Sequence, residues 1–165
     1  MEPSRRPGVV FDCNVFLQAL ANEKSAAAKA LDFLEQDAIT LFVSEPILRE
    51  VRNVLTRTKI RRKLPRITNV RVRALLQRLT AKAIIIKNIP EEFKYQRDPK
   101  DEMYINLAIV ANAEYLVSRD QDLLDLVTTS TDVARQFRSR YPFLRIMKAA
   151  DFITEMEDRA ARSES

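Results

Sequence analysis

Residues 98–124 read DPKDEMYINLAIVANAEYLVSRDQDLL, and this segment indicates the kind of fold. Asp98 can cap a helix, with a proline in the first turn and Asp101 three residues after the cap. Apolar residues follow at helical spacing from 105 to 113, and residues 115–117 form a short apolar run typical of a buried parallel strand. Carboxylates therefore stand at the start of a helix and just beyond the tip of a strand, where they either cap helices or hold a metal ion.

Length and composition indicate one globular domain. The chain has 165 residues, of which 46% are hydrophobic and 31% are charged. No apolar run approaches the roughly 20 residues that span a bilayer. The single cysteine, Cys13, allows no internal disulfide and fits a reducing compartment, so we expect a cytoplasmic protein without membrane partners.

Two scarce residue types exclude several kinds of active site. The chain has no histidine, which excludes Ser-His-Asp triads, histidine general bases and most zinc sites. Its only glycine is Gly8, which excludes glycine-rich phosphate loops and dinucleotide fingerprints. Catalysis must therefore use carboxylates, hydroxyls, basic side chains or a hard metal ion. The net charge of +5 gives a mild bias toward polyanionic partners.

The pattern along the chain alternates strands with helices. Ser25 and Ser44 are predicted to cap the helices that follow them. The alternation predicts a single α/β domain over residues 1–165, with a mostly parallel central sheet flanked by helices and a core at about 8–156. The last helix is predicted to end at Met156, with a fraying charged tail after it. Strands are predicted at 8–11, 39–43, 83–86, 115–117 and 143–147.

Residues 57–80 form a predicted basic arm, with the spacing of a helical hairpin. Between Arg49 and Arg78 the only acid is Glu50. The run is either a solvated helical face or an arm that contacts RNA phosphates, because clustered basic side chains give sequence-independent affinity for nucleic acid. The predicted RNA-binding residues are Lys59, Arg61, Arg62, Lys63, Arg66, Arg71 and Arg73.

Four carboxylates from distant parts of the chain are predicted to share one crevice. Asp12 and Asp120 follow strands, while Glu50 and Asp101 lie in the first turns of helices that start at the same edge. Sites in parallel α/β sheets form at the carboxyl ends of the strands. Clustered carboxylates need a cation or raised pKa values, and an all-oxygen site suits Mg²⁺ or Mn²⁺, which can promote phosphodiester cleavage. Strand-end turns and helix caps remain simpler explanations for each acid alone.

Four motifs, in this order, resemble those of PIN-domain ribonucleases. Residues 10–16 read VFDCNVF and are similar to the hhDxNhh opening of that family, in which h is an apolar residue. Residues 44–50 read SEPILRE and resemble its second motif, a strand-ending serine followed by a helical glutamate. Residues 98–101, DPKD, and 118–124, SRDQDLL, resemble its DPxD and TGDxDLL motifs. The subgroup that the chain resembles most comprises toxin components of toxin–antitoxin pairs (the VapC-like proteins).

The resemblance implies a PIN fold and metal-dependent cleavage of RNA by an endoribonuclease. It implies an antitoxin partner and a homodimer as well. The implied metal-binding and catalytic acids are Asp12, Glu50, Asp101 and Asp120. The implied auxiliary residues, which orient ligands or water, are Asn14, Ser44, Ser118 and Asp122. Asp98 is assigned to capping, because Asp101 is the acid of that motif that faces the metal.

One departure from the family pattern keeps other functions open. Ser118-Arg119 stands in place of the usual Thr-Gly. Arg119 either reaches substrate phosphate or obstructs the site and reduces activity, which leaves a catalytically inactive RNA-binding or regulatory module as an alternative. A haloacid-dehalogenase-like phosphatase with Asp12 as nucleophile is a further alternative. Such enzymes normally have a second aspartate at the position of Asn14, which argues against it.

Overall fold

A five-stranded sheet forms the centre of the computed structural model, which describes residues 5–164. All four strand pairings are parallel, and the strand order is β3-β2-β1-β4-β5. The single α/β domain with a parallel sheet is therefore confirmed. The strands are β1 Gly8–Phe11, β2 Thr40–Ser44, β3 Ile84–Ile86, β4 Tyr115–Val117 and β5 Arg145–Met147.

Helices connect the strands and cover the sheet. A short 3-10 turn, Pro99–Asp101, leads directly into α6. The basic arm contains α4 and the longer α5, whose Val72, Leu75 and Leu79 are buried. No helix within residues 5–164 has the length and apolar character needed to cross a membrane. The helices are α1 Cys13–Ala21, α2 Ala26–Glu35, α3 Glu45–Leu55, α4 Thr58–Lys63, α5 Asn69–Lys82, α6 Glu102–Val110, α7 Gln121–Thr128, α8 Asp132–Arg140 and α9 Ala149–Glu164.

The sheet reverses its direction of growth beside β1. The chain builds β2 and β3 on one side of β1 and then returns to place β4 and β5 on the other side. In parallel α/β sheets, the crevice at such a reversal, beyond the carboxyl ends of the strands, is where sites form. β1 ends at Phe11 and β4 at Val117, and these two residues are register partners. The acids that follow β1 and β4 are thereby brought to the same edge.

Serine, threonine and aspartate side chains cap most of the helices. Ser25 accepts a hydrogen bond from the Ala28 amide, and Ser44 accepts one from the Ile47 amide. Both predicted caps are therefore confirmed. Asp98 likewise caps the 3-10 turn, because its side chain accepts a hydrogen bond from the Lys100 amide at 3.2 Å.

The last helix is longer than predicted. It runs to Glu164, eight residues beyond the predicted end at Met156. An ion pair between Arg159 and Glu114 holds this extension against the sheet. Just before the extension, Glu155 accepts hydrogen bonds from both terminal nitrogens of Arg145, at 2.8 and 2.9 Å. The charged residues after Met156 therefore continue the helix instead of fraying.

Close packing on both faces of the sheet fixes the strands. Phe152 of α9 contacts the rings of Phe11 and Tyr115 edge to face, with centroid distances of 6.1 and 5.4 Å. At Gly8, a Cβ atom would lie 2.8 Å from the ring of Phe42 in β2. A larger residue at position 8 would therefore force the Phe42 ring to move. These contacts hold the strands in register, and the register sets the position of the acids at their ends.

Candidate metal centre

Four carboxylates meet at the carboxyl ends of β1 and β4. One carboxylate oxygen from each of Asp98, Asp101, Asp120 and Asp122 lies within 4.8 Å of the others. Local structure explains this convergence. Asp98 and Asp101 flank the 3-10 turn, and Asp120 caps α7 by accepting a hydrogen bond from the Asp122 amide at 2.9 Å. The same residues therefore begin two helices and form an acidic cluster, which we call the four-acid cluster.

Asp101 is the most buried member of the four-acid cluster. Its side chain is 5% exposed, and its Oδ2 atom is buried without a hydrogen-bond partner. Burial, reinforced by the negative charges of Asp120, Asp98 and Asp12, raises the pKa of Asp101 to about 8. An ionised carboxylate in such a place is unfavourable without a cation, so the donor set fits a hard metal ion.

Asp12 adjoins the cluster and is held by Ser118. The Ser118 hydroxyl donates to Asp12 Oδ2 at 2.6 Å and accepts from the Asp120 amide at 2.9 Å. The Asn14 amide donates to the other carboxylate oxygen of Asp12 at 3.4 Å. Burial raises the pKa of Asp12 above its ordinary value, although the bonds from Ser118 and Asn14 act in the opposite direction. Ser118 thus couples the acid after β1 to the turn that carries Asp120.

Glu50 reaches the same region from α3. The phenol of the buried Tyr104 donates to Glu50 Oε2 at 2.8 Å. The charge of Glu50 contributes, as the smallest of several causes, to the raised pKa of Asp12. The Tyr104 phenol is thus a neutral partner that fixes the Glu50 carboxylate.

The predicted metal ligands divide between the cluster and its border. Asp101 and Asp120 belong to the four-acid cluster, whereas Asp12 and Glu50 lie outside that close group. Asp98 was assigned to capping alone, but it both caps and joins the cluster. Its spacing from Asp101, one helical turn, is the signal that could have found it.

The auxiliary residues predicted from sequence occupy different surroundings. Ser44 is 1% exposed and caps α3, while Asn14 uses its backbone amide to contact Asp12. Asp122 belongs to the cluster and also forms an ion pair with Arg97 at 2.6 Å. Arg97 bonds to Asp125 as well, at 2.7 Å. The sequence gives no sign of this role for Arg97, because nothing in the residues around position 97 shows that its side chain reaches α7.

Arg119 is exposed beside the cluster and is held from α1. With the Gln18 amide oriented so that its oxygen faces the guanidinium, Gln18 accepts hydrogen bonds from Arg119, one of them from Nε at 3.2 Å. The guanidinium thus lies along α1 without a carboxylate partner among the described residues. It remains available to an anion.

The predicted RNA-binding residues of the arm are of two kinds. Arg61 and Arg71 are engaged within the fold: Arg61 donates to the Leu55 carbonyl at 3.0 Å, and Arg71 donates to the Leu20 carbonyl at 2.7 Å. These two arginines anchor the arm. The others have exposed side chains, namely Lys59, Arg62, Lys63, Arg66 and Arg73.

Comparison with known proteins agrees with this architecture. The family model described as "PIN domain" matches residues 8–122, a span that holds all four motifs up to the last acid. The uncharacterized protein MJ1680 of Methanocaldococcus jannaschii is similar to this chain, with 29% identity over 149 residues that cover 90% of the chain and 91% of the relative. PIN domains are generally nucleases, and the five-stranded parallel sheet fits their fold. With its fold, its acids and most of its length matched, the chain belongs to the PIN-domain family.

Proposed function

We propose that this protein is an endoribonuclease that hydrolyses phosphodiester bonds of RNA with bound Mg²⁺ or Mn²⁺. The observation that carries the proposal is the four-acid cluster, in which the buried Oδ2 atom of Asp101 has no hydrogen-bond partner. Such a group of charges is stable only when it is protonated or bound to a cation. Family membership supports nuclease chemistry, and the cluster supports the metal dependence.

The residues assigned to the metal are Asp12, Glu50, Asp101 and Asp120, with Asp98 and Asp122 beside them. A divalent ion bound there supplies Lewis-acid activation of a phosphoryl oxygen and a lowered pKa for bound water. The protein contributes the orientation of its carboxylates. Ser118 and the Asn14 amide orient the carboxylate of Asp12, and Tyr104 fixes one oxygen of Glu50, so both carboxylates are held in place for ligation.

RNA is assigned as the substrate because exposed basic side chains lie both beside the acidic edge and on the arm. Arg119 lies next to the cluster in sequence, and the exposed residues of the arm add positive charge farther away. Replacing Lys59, Arg62 and Lys63 together with glutamine should weaken RNA binding in a salt-dependent way. Each lost phosphate contact lowers the slope of log K against log salt by about 0.7 for single strands. An unchanged slope would mean that the arm does not contact RNA.

Cleavage of RNA with Mn²⁺ tests the proposal. Wild-type protein should cleave, EDTA should abolish cleavage, and Asp12→Asn or Asp120→Asn should reduce the rate by roughly 100-fold or more. Asp158→Asn is the matched control, because Asp158 is exposed on α9. RNA binding without cleavage would favour the inactive module instead. The family match gives the phosphatase alternative no support.

A role as the toxin component of a type II toxin–antitoxin system extends this proposal. The proposal includes cytoplasmic action, an antitoxin partner and a homodimer, all of which rest on the resemblance to VapC-like proteins. Expression of the wild-type chain in a bacterial host should arrest growth, and Asp120→Asn should not. Growth arrest by both forms would contradict a nuclease-based toxin. Chromatography with light scattering would give the number of chains in the assembly.

A further inference from the structure

A cavity of about 550 Å³ lies beside the four-acid cluster. The tip of β2, the loop after β3 and the start of α6 form its walls. Ser44, which ends β2, and Pro99, which directly follows Asp98, both line it. The cavity therefore opens at the same edge of the sheet as the acids, on the β2–β3 side.

The loop that closes this cavity is held in place by α6. The buried Asn106 side chain accepts from the Phe93 amide at 2.8 Å and donates to the Phe93 carbonyl at 3.1 Å. One turn earlier in α6, Glu102 accepts from the Tyr95 amide at 2.7 Å. Because the buried Asn106 side chain uses both its donor and its acceptor to bond to Phe93, it fixes the position of the loop. The cavity is thus formed before any ligand arrives, which reduces the entropy lost on binding.

Apolar side chains form part of the cavity lining, together with polar and charged ones. Ile86, Ile89 and Met103 are half-buried, while Pro46 and Pro90 are exposed at its mouth. The apolar pyrrolidine rings of proline and the adaptable side chain of methionine can pack against the face of a planar ring system. Unpaired nucleobases are bound by proteins in this way, with the ring faces packed and the ring edges hydrogen-bonded.

The charges at the rim select against phosphate. Three glutamates and one lysine, Lys87, line the cavity. Two of the glutamates, Glu45 and Glu91, are exposed and make no hydrogen bond or ion pair with another residue in the described range. Carboxylates repel a phosphate but accept hydrogen bonds from amino groups on base edges. The rim therefore fits a neutral base and excludes the sugar–phosphate backbone.

We propose that this cavity binds one nucleobase of the RNA next to the scissile phosphate and prefers bases with an exocyclic amino group. Adenine, cytosine and guanine carry that group and uracil does not. Glu45 and Glu91 accept from the amino group, while the apolar walls hold the ring. The inference rests on the proposed function, because it gives the nuclease a sequence preference.

A cleavage assay tests the preference. RNAs that differ only at one nucleotide beside the cleaved bond should be cut about tenfold faster with cytosine than with uracil, as expected for a hydrogen bond to a charged acceptor. The double variant Glu45→Ala/Glu91→Ala should remove this difference while it still cuts the uracil RNA. Glu157→Ala, which removes an exposed charge on α9, should keep the preference. Equal cleavage of all four RNAs by the wild type would overturn the inference.

A binding measurement separates this inference from the nuclease itself. In EDTA, methyl NMR of Ile86, Ile89 and Met103 should report cytidine binding, with uridine binding weaker by about tenfold. The two nucleosides are neutral, so phosphate contacts do not contribute. They differ at C4 and N3: cytidine has an amino group beside an N3 acceptor, whereas uridine has an oxo group beside a single N3–H donor. Selective methyl shifts without any RNA cleavage would support the cavity and contradict the nuclease. Cleavage without methyl shifts would support the nuclease and contradict base binding in the cavity.

Discussion

Asp101 shows how single residues in this protein are placed for function at the expense of stability. Its carboxyl is buried among three other acids and has one oxygen without a partner. The raised pKa of about 8 means that ionisation of Asp101 is disfavoured in the folded chain. A cation in the cluster would offset that repulsion, so stability and metal binding are linked at this position.

Asp101→Asn should therefore stabilise the metal-free protein and inactivate it. In EDTA at pH 9, where the wild-type carboxyl is ionised, we expect the Tm to rise by roughly 2–8 °C, which corresponds to about 1–2 kcal/mol in a domain of this size. Mn²⁺ should raise the Tm of the wild type and leave the variant unchanged. Differential scanning calorimetry measures both effects. A lower Tm for Asp101→Asn in EDTA would contradict the expected repulsion between ionised Asp101 and the neighbouring acids.

Arg119 is the residue at which this chain departs most clearly from the motif of its family. The guanidinium is held by Gln18 against α1 and does not bond to an acid of the cluster. We expect Arg119→Ala to raise KM for RNA about threefold to tenfold with kcat within twofold, because a lost phosphate contact weakens binding more than chemistry. Arg135→Ala, an exposed arginine on α8, is the control. A higher kcat for Arg119→Ala would show instead that the side chain obstructs the site.

At the scale of elements, the loop before the 3-10 turn is tied to α7. Arg97 bonds to Asp122 and Asp125, and the Tyr95 hydroxyl donates to the Asp122 carbonyl at 2.7 Å. Asp98 caps the 3-10 turn and Asp101 ends it. Asp120 caps α7, and Asp122 lies in its first turn. The tie therefore brings together the two elements that supply all four carboxylates.

Arg97→Met should loosen this tie and leave Asp122 without its cation. We expect a lower Tm in EDTA than in the wild type and a larger rise in Tm when Mn²⁺ is added, because the cluster then carries more uncompensated charge. Arg135→Met breaks the surface ion pair to Asp132 and should change neither quantity measurably. Thermal unfolding with and without Mn²⁺ measures both. An equal metal-induced shift in wild type and Arg97→Met would contradict a link between Arg97 and the cluster.

Local patterns in the sequence predicted the elements well and the pairing of side chains poorly. The strands at 8–11 and 115–117 were predicted with their observed bounds, since each is an apolar run that ends abruptly at polar residues. The bond between Tyr104 and Glu50 joins residues 54 positions apart. No local rule gives such a contact, and the same holds for Arg97 with α7. Asp98 was misjudged for another reason, because capping explained it fully and concealed its second role.

At the scale of the whole molecule, α9 closes the sheet on the side of β4 and β5. Arg145 of β5 forms a bidentate ion pair with Glu155, and the Tyr115 hydroxyl of β4 donates to the same carboxylate at 3.3 Å. Two strands and the last helix thus share one glutamate. These contacts lie at the opposite end of the strands from the acids, since Tyr115 and Arg145 begin β4 and β5. Changes here should affect stability without affecting the metal site.

Glu155→Gln should lower the Tm at pH 7, and the difference from the wild type should shrink as the pH falls below 4.5. Bonds from Arg145 hold the pKa of Glu155 below its ordinary value of 4.5. The folded chain therefore binds fewer protons than the unfolded chain in that range, so the stabilisation is present above pH 4.5 and is lost as the pH falls through the lowered pKa. Glu157→Gln, at an exposed position two residues farther along α9, controls for the loss of charge. Thermal unfolding between pH 3 and 7, together with RNA cleavage at pH 7, completes the test. A difference in Tm that does not shrink as the pH falls below 4.5 would contradict the role of the Glu155 charge. A loss of cleavage at temperatures where the variant is folded would contradict the independence of these contacts from the acidic edge.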